Sequence, residues 1–231
     1  MVLYERLGRN IDNGLIGYWR LDDFMGSASP TAKDLSLFRD GTLNGPIAFI
    51  GRRGYSKTAM YFDGIDDYIN LNSTSILPSG TTKFTISAWI FTTRVNVDQC
   101  IIGNIRFIGT SGFKYSINAS GKMYFSFYDT VGTLKIKTDT GTALSANVSY
   151  HVAVNFDGTT IQFYTNGVLS SSQTDLGNGI LSENTAHNVR IGHRQGADLL
   201  EFFKGSIQEV QVYNRNLNTN EIKEIYLSKD R

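Results

Sequence analysis

Apolar and polar residues alternate with a period of two over many short segments of this chain. In residues 83–90, KFTISAWI, every second side chain from Phe84 onward is apolar and faces one way, as in a β-strand with one face in the core. Residues 59–71, AMYFDGIDDYINL, alternate too, but Asp63-Gly64 interrupts them, which predicts a strand that turns a corner and re-enters the sheet. The pattern predicts an antiparallel β-sandwich.

Turn-forming pairs punctuate the whole chain and separate further short strands. Asn-Gly and Asp-Gly pairs tolerate the positive φ of tight turns, and they begin at Asn13, Asp40, Asn44, Asp63, Asp157, Asn166 and Asn178. Residues 159–172, with Asn166-Gly167 at their centre, are the clearest hairpin. The remaining alternating segments predict strands at 15–20, 114–118, 122–128, 134–138, 150–156, 189–191 and 205–213.

The C-terminal tail has a helical pattern instead. Asn218 followed by Glu221 is typical of a capping box, in which each side chain bonds the other residue's backbone N–H. Ile222, Ile225 and Tyr226 then fall on one helical face. The sequence therefore predicts an all-β fold that ends in one short helix.

Length and charge limit the class of protein further. A chain of 231 residues fits a single sandwich domain, assigned here to residues 14–231, with residues 1–13 as an N-terminal arm. Its 22 Lys and Arg balance 21 Asp and Glu, so the net charge of +1 does not favour nucleic acid as a partner. No apolar run is long enough for membrane insertion. The single cysteine, Cys100, cannot form an intrachain disulfide and is interpreted as a small buried side chain.

Six sequence blocks, taken in order, carry a family resemblance. They are GLIGYWRLDD, AMYFDGIDDYINL, FTISAWI, YHVAVNFDGTTIQFYTNG, VRIGH and FKGSIQEVQVYNRNLNTNEIKEIY. Over about residues 14–227 the chain resembles the laminin G-like jelly rolls of the concanavalin A-like lectin/glucanase superfamily. The resemblance implies two antiparallel sheets packed face to face, one of them concave, with loops at the rim. Function does not follow, because the superfamily includes lectins, glycanases, adhesion modules and structural domains.

Catalysis is not expected. Glucanases of this superfamily place an E-x-D-x-x-E series on one strand, so that its carboxylates share a face. Here Glu209 is followed by Gln211, while Glu221 and Glu224 lie on the predicted helix. The histidines are dispersed, without metal-ligand or nucleophile spacing, at His151, His187 and His193. We therefore predict a protein that is not an enzyme, and a glycan hydrolase is the least favoured alternative.

A structural calcium ion is a further implication of the resemblance. Many relatives hold one with acids after the first strand, a backbone carbonyl and an acid in the penultimate strand, and Asp22 and Asp23 fit the first element. The family usually has Asp-Glu where this chain has Gln208-Glu209, so that Gln208 offers only its carbonyl as a weak ligand. A solvated turn is the alternative for Asp22 and Asp23. A second group of acids is assigned to turn capping: Asp63, Asp66 and Asp67.

A glycan site needs aromatic faces for stacking and polar groups for the hydroxyls of the sugar. Tyr124 and Tyr128 alternate with apolar residues and point away from the core, and Lys114 and Asn118 of a neighbouring strand lie beside them. These four residues are the candidate glycan-binding set, and the alternative is that the tyrosines are ordinary surface aromatics. The tryptophans are assigned to the core: Trp19 and Trp89.

The leading hypothesis is a non-catalytic, lectin-like interaction domain on a particle or cell surface, binding a glycan or a surface protein. The chain begins with Met1, and residues 1–13 are too charged for a secretory signal. These features suggest an extracellular surface or a virion as the location. The alternative is a structural decoration protein of a phage-like virion, which would contact a capsid or another assembly partner through residues 1–13. An open groove beside Tyr124 and Tyr128 would favour the glycan binder.

Overall fold

The computed structural model describes residues 12–22, 31–36, 39–45, 48–50, 59–105, 110–174, 179–194 and 201–228, with the backbone alone for 48–50. In chain order, the described elements are β1 (Leu15–Trp19), β2 (Thr31–Ala32), β3 (Gly41–Asn44), β4 (Ala48–Ile50), β5 (Ala59–Asp63), β6 (Tyr68–Asn70), β7 (Phe84–Thr92), β8 (Gln99–Gly103), β9 (Phe113–Ile117), β10 (Met123–Tyr128), β11 (Leu134–Thr138), β12 (Ser149–Phe156), β13 (Ile161–Thr165), β14 (Val168–Gln173), β15 (Arg190–Ile191), β16 (Lys204–Tyr213) and α1 (Thr219–Leu227).

The strands form two antiparallel sheets. Sheet 1 has the order β14-β13-β12-β7-β16-β5-β4, and β1 pairs with the second half of β16. Sheet 2 has the order β11-β10-β9-β8-β15-β6-β3-β2. Neighbours in space are often distant in sequence, and the chain passes repeatedly from one sheet to the other. The fold is the predicted jelly-roll sandwich with one short C-terminal helix.

The main core lies between the two sheets, as the alternation predicted. On β7 the side chains of Phe84, Ile86, Ala88 and Ile90 belong to this core. Phe84 contacts Phe125 of sheet 2 with ring centroids 4.9 Å apart. Trp19 belongs to the same cluster and is fully buried. Burial of such large apolar side chains is the main stabilising contribution to a sandwich of this kind.

A second, smaller core lies between sheet 1 and α1. Asn218 caps the helix, and its side chain and that of Glu221 form the predicted capping box. Ile222 and Ile225 are buried against the outer face of sheet 1. Trp89 stacks on Tyr226 with ring centroids 5.5 Å apart. Trp89 is thus buried, as predicted, but beneath the helix rather than between the sheets.

Two β-bulges change the direction of side chains in long strands. In β8 the register with β9 shifts between Cys100 and Ile102, and both Ile101 and Ile102 enter the main core. In β16 the register with β7 shifts between Gln208 and Gln211, where Glu209 has a φ of 52°. A bulge places one extra residue in a strand and breaks the period of two.

Several predictions fall partly outside the described residues. Residues 1–11 are not described, and they make up most of the predicted arm 1–13. Within the described part of the chain, no helix has the length and apolar character needed to cross a lipid bilayer. The chain does turn a corner at residues 63–67, but the prediction that it re-enters the same sheet is wrong, because it passes from β5 of sheet 1 to β6 of sheet 2.

Candidate functional site

The predicted site residues lie together on the outer face of sheet 2. In β10, Met123, Phe125 and Phe127 face the main core. Because neighbouring side chains in a strand point to opposite faces, Tyr124 and Tyr128 point outward. Lys114 lies opposite Ser126 in the pairing of β9 with β10, so it is on the same outer face.

A cavity of about 380 Å³ lies over this face. All four predicted glycan-binding residues line it: Lys114, Asn118, Tyr124 and Tyr128. Its volume is near the lower end of the range of about 300–1,000 Å³ for small-molecule sites. The sequence pattern therefore identified residues that share one concave surface, and whether that surface binds a glycan remains a prediction.

A buried charge network forms one wall of the cavity. The ammonium of Lys114 lies 2.7 Å from Glu201 Oε2, and Arg194 Nε lies 2.9 Å from Glu201 Oε1. The Lys114 and Arg194 side chains are 9% and 3% exposed. The Lys114 ammonium also lies 4.8 Å from the centre of the Tyr124 ring. Each ion is thus compensated by an opposite charge inside the site, which offsets part of the cost of removing it from water.

The segment between β15 and β16 brings Glu201 to the cavity. The Glu201 carbonyl accepts a hydrogen bond from Cys100 N–H at 2.9 Å, which attaches this segment to β8. Next to it, Phe202 stacks on His193 with ring centroids 3.8 Å apart. Phe203 N–H then bonds the Gly192 carbonyl at 2.8 Å. These contacts fix the Glu201 backbone, so the position of its carboxylate is set by the fold.

Asp98, from the connection between β7 and β8, lies at another side of the cavity. Its Oδ1 accepts the Ala119 N–H at 2.8 Å, and its Oδ2 accepts the Tyr124 hydroxyl at 3.4 Å. Burial raises the pKa of the Tyr124 phenol, and the charges of Glu201 and Asp98 raise it further. Tyr124 therefore stays protonated and donates its hydrogen bond to Asp98.

Asn118 has a structural duty as well as a place in the cavity. Its side-chain oxygen accepts the Ser120 and Lys122 N–H groups at 2.9 and 3.0 Å and closes the turn between β9 and β10. The amide NH₂ is therefore the part of this side chain suited to contact a ligand. Asn118 is half-buried, in keeping with this double position.

Apolar side chains complete the cavity at the edge strand β11. Leu134 lies opposite Tyr128, and Ile136 lies opposite Ser126. Leu134 and Ile136 are 41% and 54% exposed, and both line the cavity. With the half-buried Tyr128 ring they form an accessible apolar strip beside the charged wall. A sugar ring, with apolar C–H faces and polar edges, matches such a division.

Among the predicted calcium ligands, Asp22 is already paired with a cationic side chain. Asp22 forms an ion pair with Arg20, whose Nε lies 3.8 Å from Glu209 Oε1. A guanidinium therefore already provides positive charge to these carboxylates, and a calcium ion would have to displace it from Asp22. Asp23 lies outside the described residues, and Gln208 is buried. The calcium site therefore remains a prediction.

The second acidic group, Asp63, Asp66 and Asp67, lies in a turn, and two of its carboxylates accept backbone N–H groups, as predicted. Asp63 Oδ1 accepts the Ile65 N–H at 2.7 Å, and Asp67 Oδ2 accepts the Asp63 N–H at 2.9 Å. One oxygen of each of Asp63, Asp66 and Asp67 lies within 4.8 Å of the others. Burial raises the pKa of Asp67 to about 6, the Asp63 N–H lowers it, and the charges of Asp63 and Asp66 raise it.

Two further side chains are buried, and one of them, Cys100, was predicted to be. His151, at the start of β12, is buried and packs with its ring centroid 5.4 Å from that of Trp89. Cys100 is fully buried, and burial raises the pKa of its thiol to about 12. A thiol with such a pKa is protonated at neutral pH and is a poor nucleophile. Both residues therefore have structural roles.

Beyond Lys114, the cavity has three charged residues that sequence reasoning missed: Asp98, Arg194 and Glu201. Lys114 and Glu201 are 87 positions apart in the chain, and no motif links them. The available signal was weak and consisted of charged residues in connections between predicted strands. Only the paired sheets and the path of the β15–β16 segment bring these charges together.

The fold and this site are those of a two-sheet jelly-roll sandwich with a cavity on one outer face. Residues 62–223, more than half of the chain, match the laminin G-like family Laminin_G_3 of the concanavalin A-like lectin/glucanases superfamily. The chain therefore belongs to this family, as the resemblance of its sequence blocks predicted.

Individual proteins similar to the chain include a receptor and two bacterial proteins. A segment of the adhesion G-protein coupled receptor V1 of Danio rerio is 24% identical over 182 residues, which is 76% of this chain and 3% of the receptor. The binding domain of Paraclostridial Mosquitocidal Protein 1 has a TM-score of 0.71 at 17% identity, covering 95% of this chain and 53% of that one. Domain 4 of AbnA, an extracellular GH43 arabinanase from Geobacillus stearothermophilus solved with arabinotriose, has a TM-score of 0.65 at 16% identity, covering 92% and 98%.

The receptor-binding domain of the botulinum neurotoxin C/D mosaic serotype is similar in the same way. Its TM-score is 0.68 at 16% identity, covering 94% of this chain and 52% of the toxin chain. The chain thus spans about half of the two toxin chains and a small part of the receptor. At these identities the structural likeness establishes the fold alone.

Proposed function

We propose that this chain is a non-catalytic, lectin-like binding domain that holds a short glycan in the cavity on the outer face of sheet 2. One observation carries the proposal: an accessible apolar strip, including the Tyr128 ring, lies beside fixed polar groups in a single cavity. Stacking on the strip and hydrogen bonding to the wall are the two contacts that sugar recognition requires.

The relatives support this class of function. The neurotoxin and mosquitocidal chains are described as receptor-binding and binding domains, and the arabinanase domain was solved with a bound trisaccharide. The zebrafish relative is an adhesion receptor. These relatives support the proposal that the chain acts on an extracellular surface, in contact with a glycan or a surface protein.

The chemistry of the cavity favours binding over hydrolysis. Asp98 and Glu201 both line it, and glycosidases do use pairs of carboxylates. However, both oxygens of the Glu201 carboxylate are already engaged in ion pairs, one with Lys114 and the other with Arg194. Asp98 accepts bonds from Ala119 and Tyr124. Neither carboxylate is arranged to transfer a proton.

The virion alternative depended on the arm 1–13, and residues 1–11 lie outside the described part. A capsid or other assembly partner, and the role of decoration protein, therefore stay predictions. Deleting residues 1–11 separates the two hypotheses, because the described residues that line the cavity all lie between Asp98 and Glu201 in the chain. A glycan binder keeps its binding after the deletion.

The direct test is a broad glycan array, with calcium and with a chelator, followed by calorimetry on the glycans that bind. Tyr128→Ala is expected to weaken binding about tenfold, because an aromatic contact contributes about 0.5–1.5 kcal/mol beyond its buried area. The matched control is Tyr61→Ala, which removes a half-buried tyrosine from sheet 1.

Three results would count against the proposal. They are the absence of binding to any glycan, equal losses in the two tyrosine variants, and release of reducing sugar from bound glycans. The last result would favour the hydrolase alternative. Binding that persists in chelator would separate glycan recognition from the predicted calcium ion.

A further inference from the structure

The charges of the described residues that line the cavity cancel. Among the described residues that line it, Lys114 and Arg194 are cations, and Asp98 and Glu201 are carboxylates. Two positive and two negative charges give a local sum of zero. A site built for an anionic group normally presents an excess of donors and positive charge to its ligand.

The cancellation is built into the packing. The Lys114 and Glu201 side chains are 9% and 14% exposed and lie 2.7 Å apart, and Arg194 contacts the other oxygen of the same carboxylate. An incoming carboxylate or sulfate would have to compete with Glu201 for these cations. It would also lie near the negative charges of Glu201 and Asp98 in a site that is partly shielded from water, where repulsion is stronger than in bulk solvent.

An uncharged polyol meets no such obstacle. Sugar hydroxyls can donate to the remaining lone pairs of Glu201 and Asp98, and they can accept from the Lys114 ammonium, which has three donors. The apolar face of a pyranose ring can rest on the exposed strip of Leu134 and Ile136. Each contact leaves the ion pairs in place.

From these observations, and resting on the proposed function, we propose that the cavity selects neutral sugars over acidic ones and that Glu201 sets this selectivity. The carboxylate of Glu201 pairs with both cations and offsets one of their two positive charges, while Asp98 offsets the other. Removing its charge alone would leave Lys114 and Arg194 in excess within the same cavity. The same fold would then favour an acidic sugar.

The test compares hexose-terminated glycans with their 6-carboxyl counterparts: glucose with glucuronic acid, galactose with galacturonic acid, and mannose with mannuronic acid. The wild-type protein is expected to bind the neutral member of the preferred pair at least about tenfold more tightly. Its Kd should change less than about twofold between about 50 and about 500 mM NaCl, because screening acts little on an uncharged ligand.

The variant arm uses Glu201→Gln, with Glu224→Gln as the matched control. Glu224 is exposed on α1, on the other side of the sandwich, and its replacement makes the same change in net charge. Glu201→Gln is expected to reverse the ratio of Kd values in favour of the acidic sugar and to make binding of that sugar weaken with salt. Glu224→Gln should keep the wild-type ratio and melting temperature.

The outcomes separate this inference from the proposed function. Tighter binding of the acidic sugar by the wild-type protein would overturn the neutral selectivity while leaving a lectin. An unchanged ratio in a folded Glu201→Gln variant would remove Glu201 from the selectivity. Failure of every sugar to bind the wild-type protein would overturn the proposed function itself. The wild-type comparison decides the first point even if the variant does not fold.

Discussion

The outer face of sheet 1 is covered at its centre by α1, whereas the outer face of sheet 2 carries a cavity with charged walls. Under the helix, Trp89 and His151 pack against Tyr226. On the other face, Lys114 and Tyr124 occupy comparable outward positions in their strands but face Glu201 and Asp98. The difference shows that outward-pointing aromatic residues become part of a core or of a cavity wall according to the segment that packs over them.

The largest expected effect comes from weakening the packing of α1 on sheet 1. Ile222 is fully buried, and Ile222→Ala is expected to lower the free energy of unfolding by about 2–5 kcal/mol, because a cavity replaces apolar contacts. Glycan affinity should not change, since α1 packs on the opposite sheet. Chemical denaturation and calorimetry measure the two effects, and Lys223→Ala, at an exposed position, is the control. A parallel loss of binding would mean that the two faces are coupled.

The next largest effect is the pH dependence of stability caused by Asp67, in the corner that joins the two sheets. The pKa of Asp67 is raised from 3.8 to about 6, so its stabilising contribution is complete below pH 3.8 and is lost as pH rises through about 6. A rise of about two units corresponds to about 3 kcal/mol. Between about pH 4 and pH 7, the stability of the wild-type protein relative to Asp67→Asn is therefore expected to fall by up to that amount.

Denaturant titrations at several pH values measure this difference. Asp157→Asn provides a contrast of opposite sign, because hydrogen bonds from Thr159 and Thr160 outweigh burial and hold the pKa of Asp157 below its usual value. The contribution of Asp157 is present above that usual value and is lost on acidification. A pH-independent difference between Asp67→Asn and the wild-type protein would show that the buried carboxylate carries no destabilising charge.

The smallest expected effect concerns the residue that caps the N-terminus of α1. Asn218 accepts hydrogen bonds from the Asn220 and Glu221 N–H groups at 2.9 and 3.0 Å. Asn218→Ala should cost about 1 kcal/mol of unfolding free energy in thermal or chemical denaturation, since those donors lose their partner. Asn218→Ser keeps an acceptor and should recover most of it. Equal losses in both variants would exclude the cap as the cause.

Periodicity predicted most of the sandwich but not all of its strands. It located β11 and the hairpin of β13 and β14 because their side chains alternate and their turns are marked by glycine. It missed β8, where the bulge between Cys100 and Ile102 sends Ile101 and Ile102 into the same core and hides the alternation. The short strands β2 and β3 were missed as well, since so few residues show no period.

The candidate site was predictable only in part, for a related reason. Alternation places Tyr124 and Tyr128 on the face away from the core, and strand pairing adds Lys114. Neither alternation nor strand pairing reveals that Glu201 lies beside Lys114, because the position of Glu201 depends on tertiary contacts such as the stacking of Phe202 on His193. Tertiary packing also explains why the sequence predicted burial of Trp89 but not that α1 would be the element that covers it.

The dispersed origin of the cavity has a consequence for the maturation of the protein. Lys114 and Glu201 are 87 positions apart, and the wall they form exists only after β9 has paired and the β15–β16 segment has docked. A partly folded chain therefore has no such wall to offer a ligand. A ligand that binds only the completed site also shifts the folding equilibrium toward it by mass action. Only fully folded molecules would then bind the ligand, so that binding reports whether folding is complete.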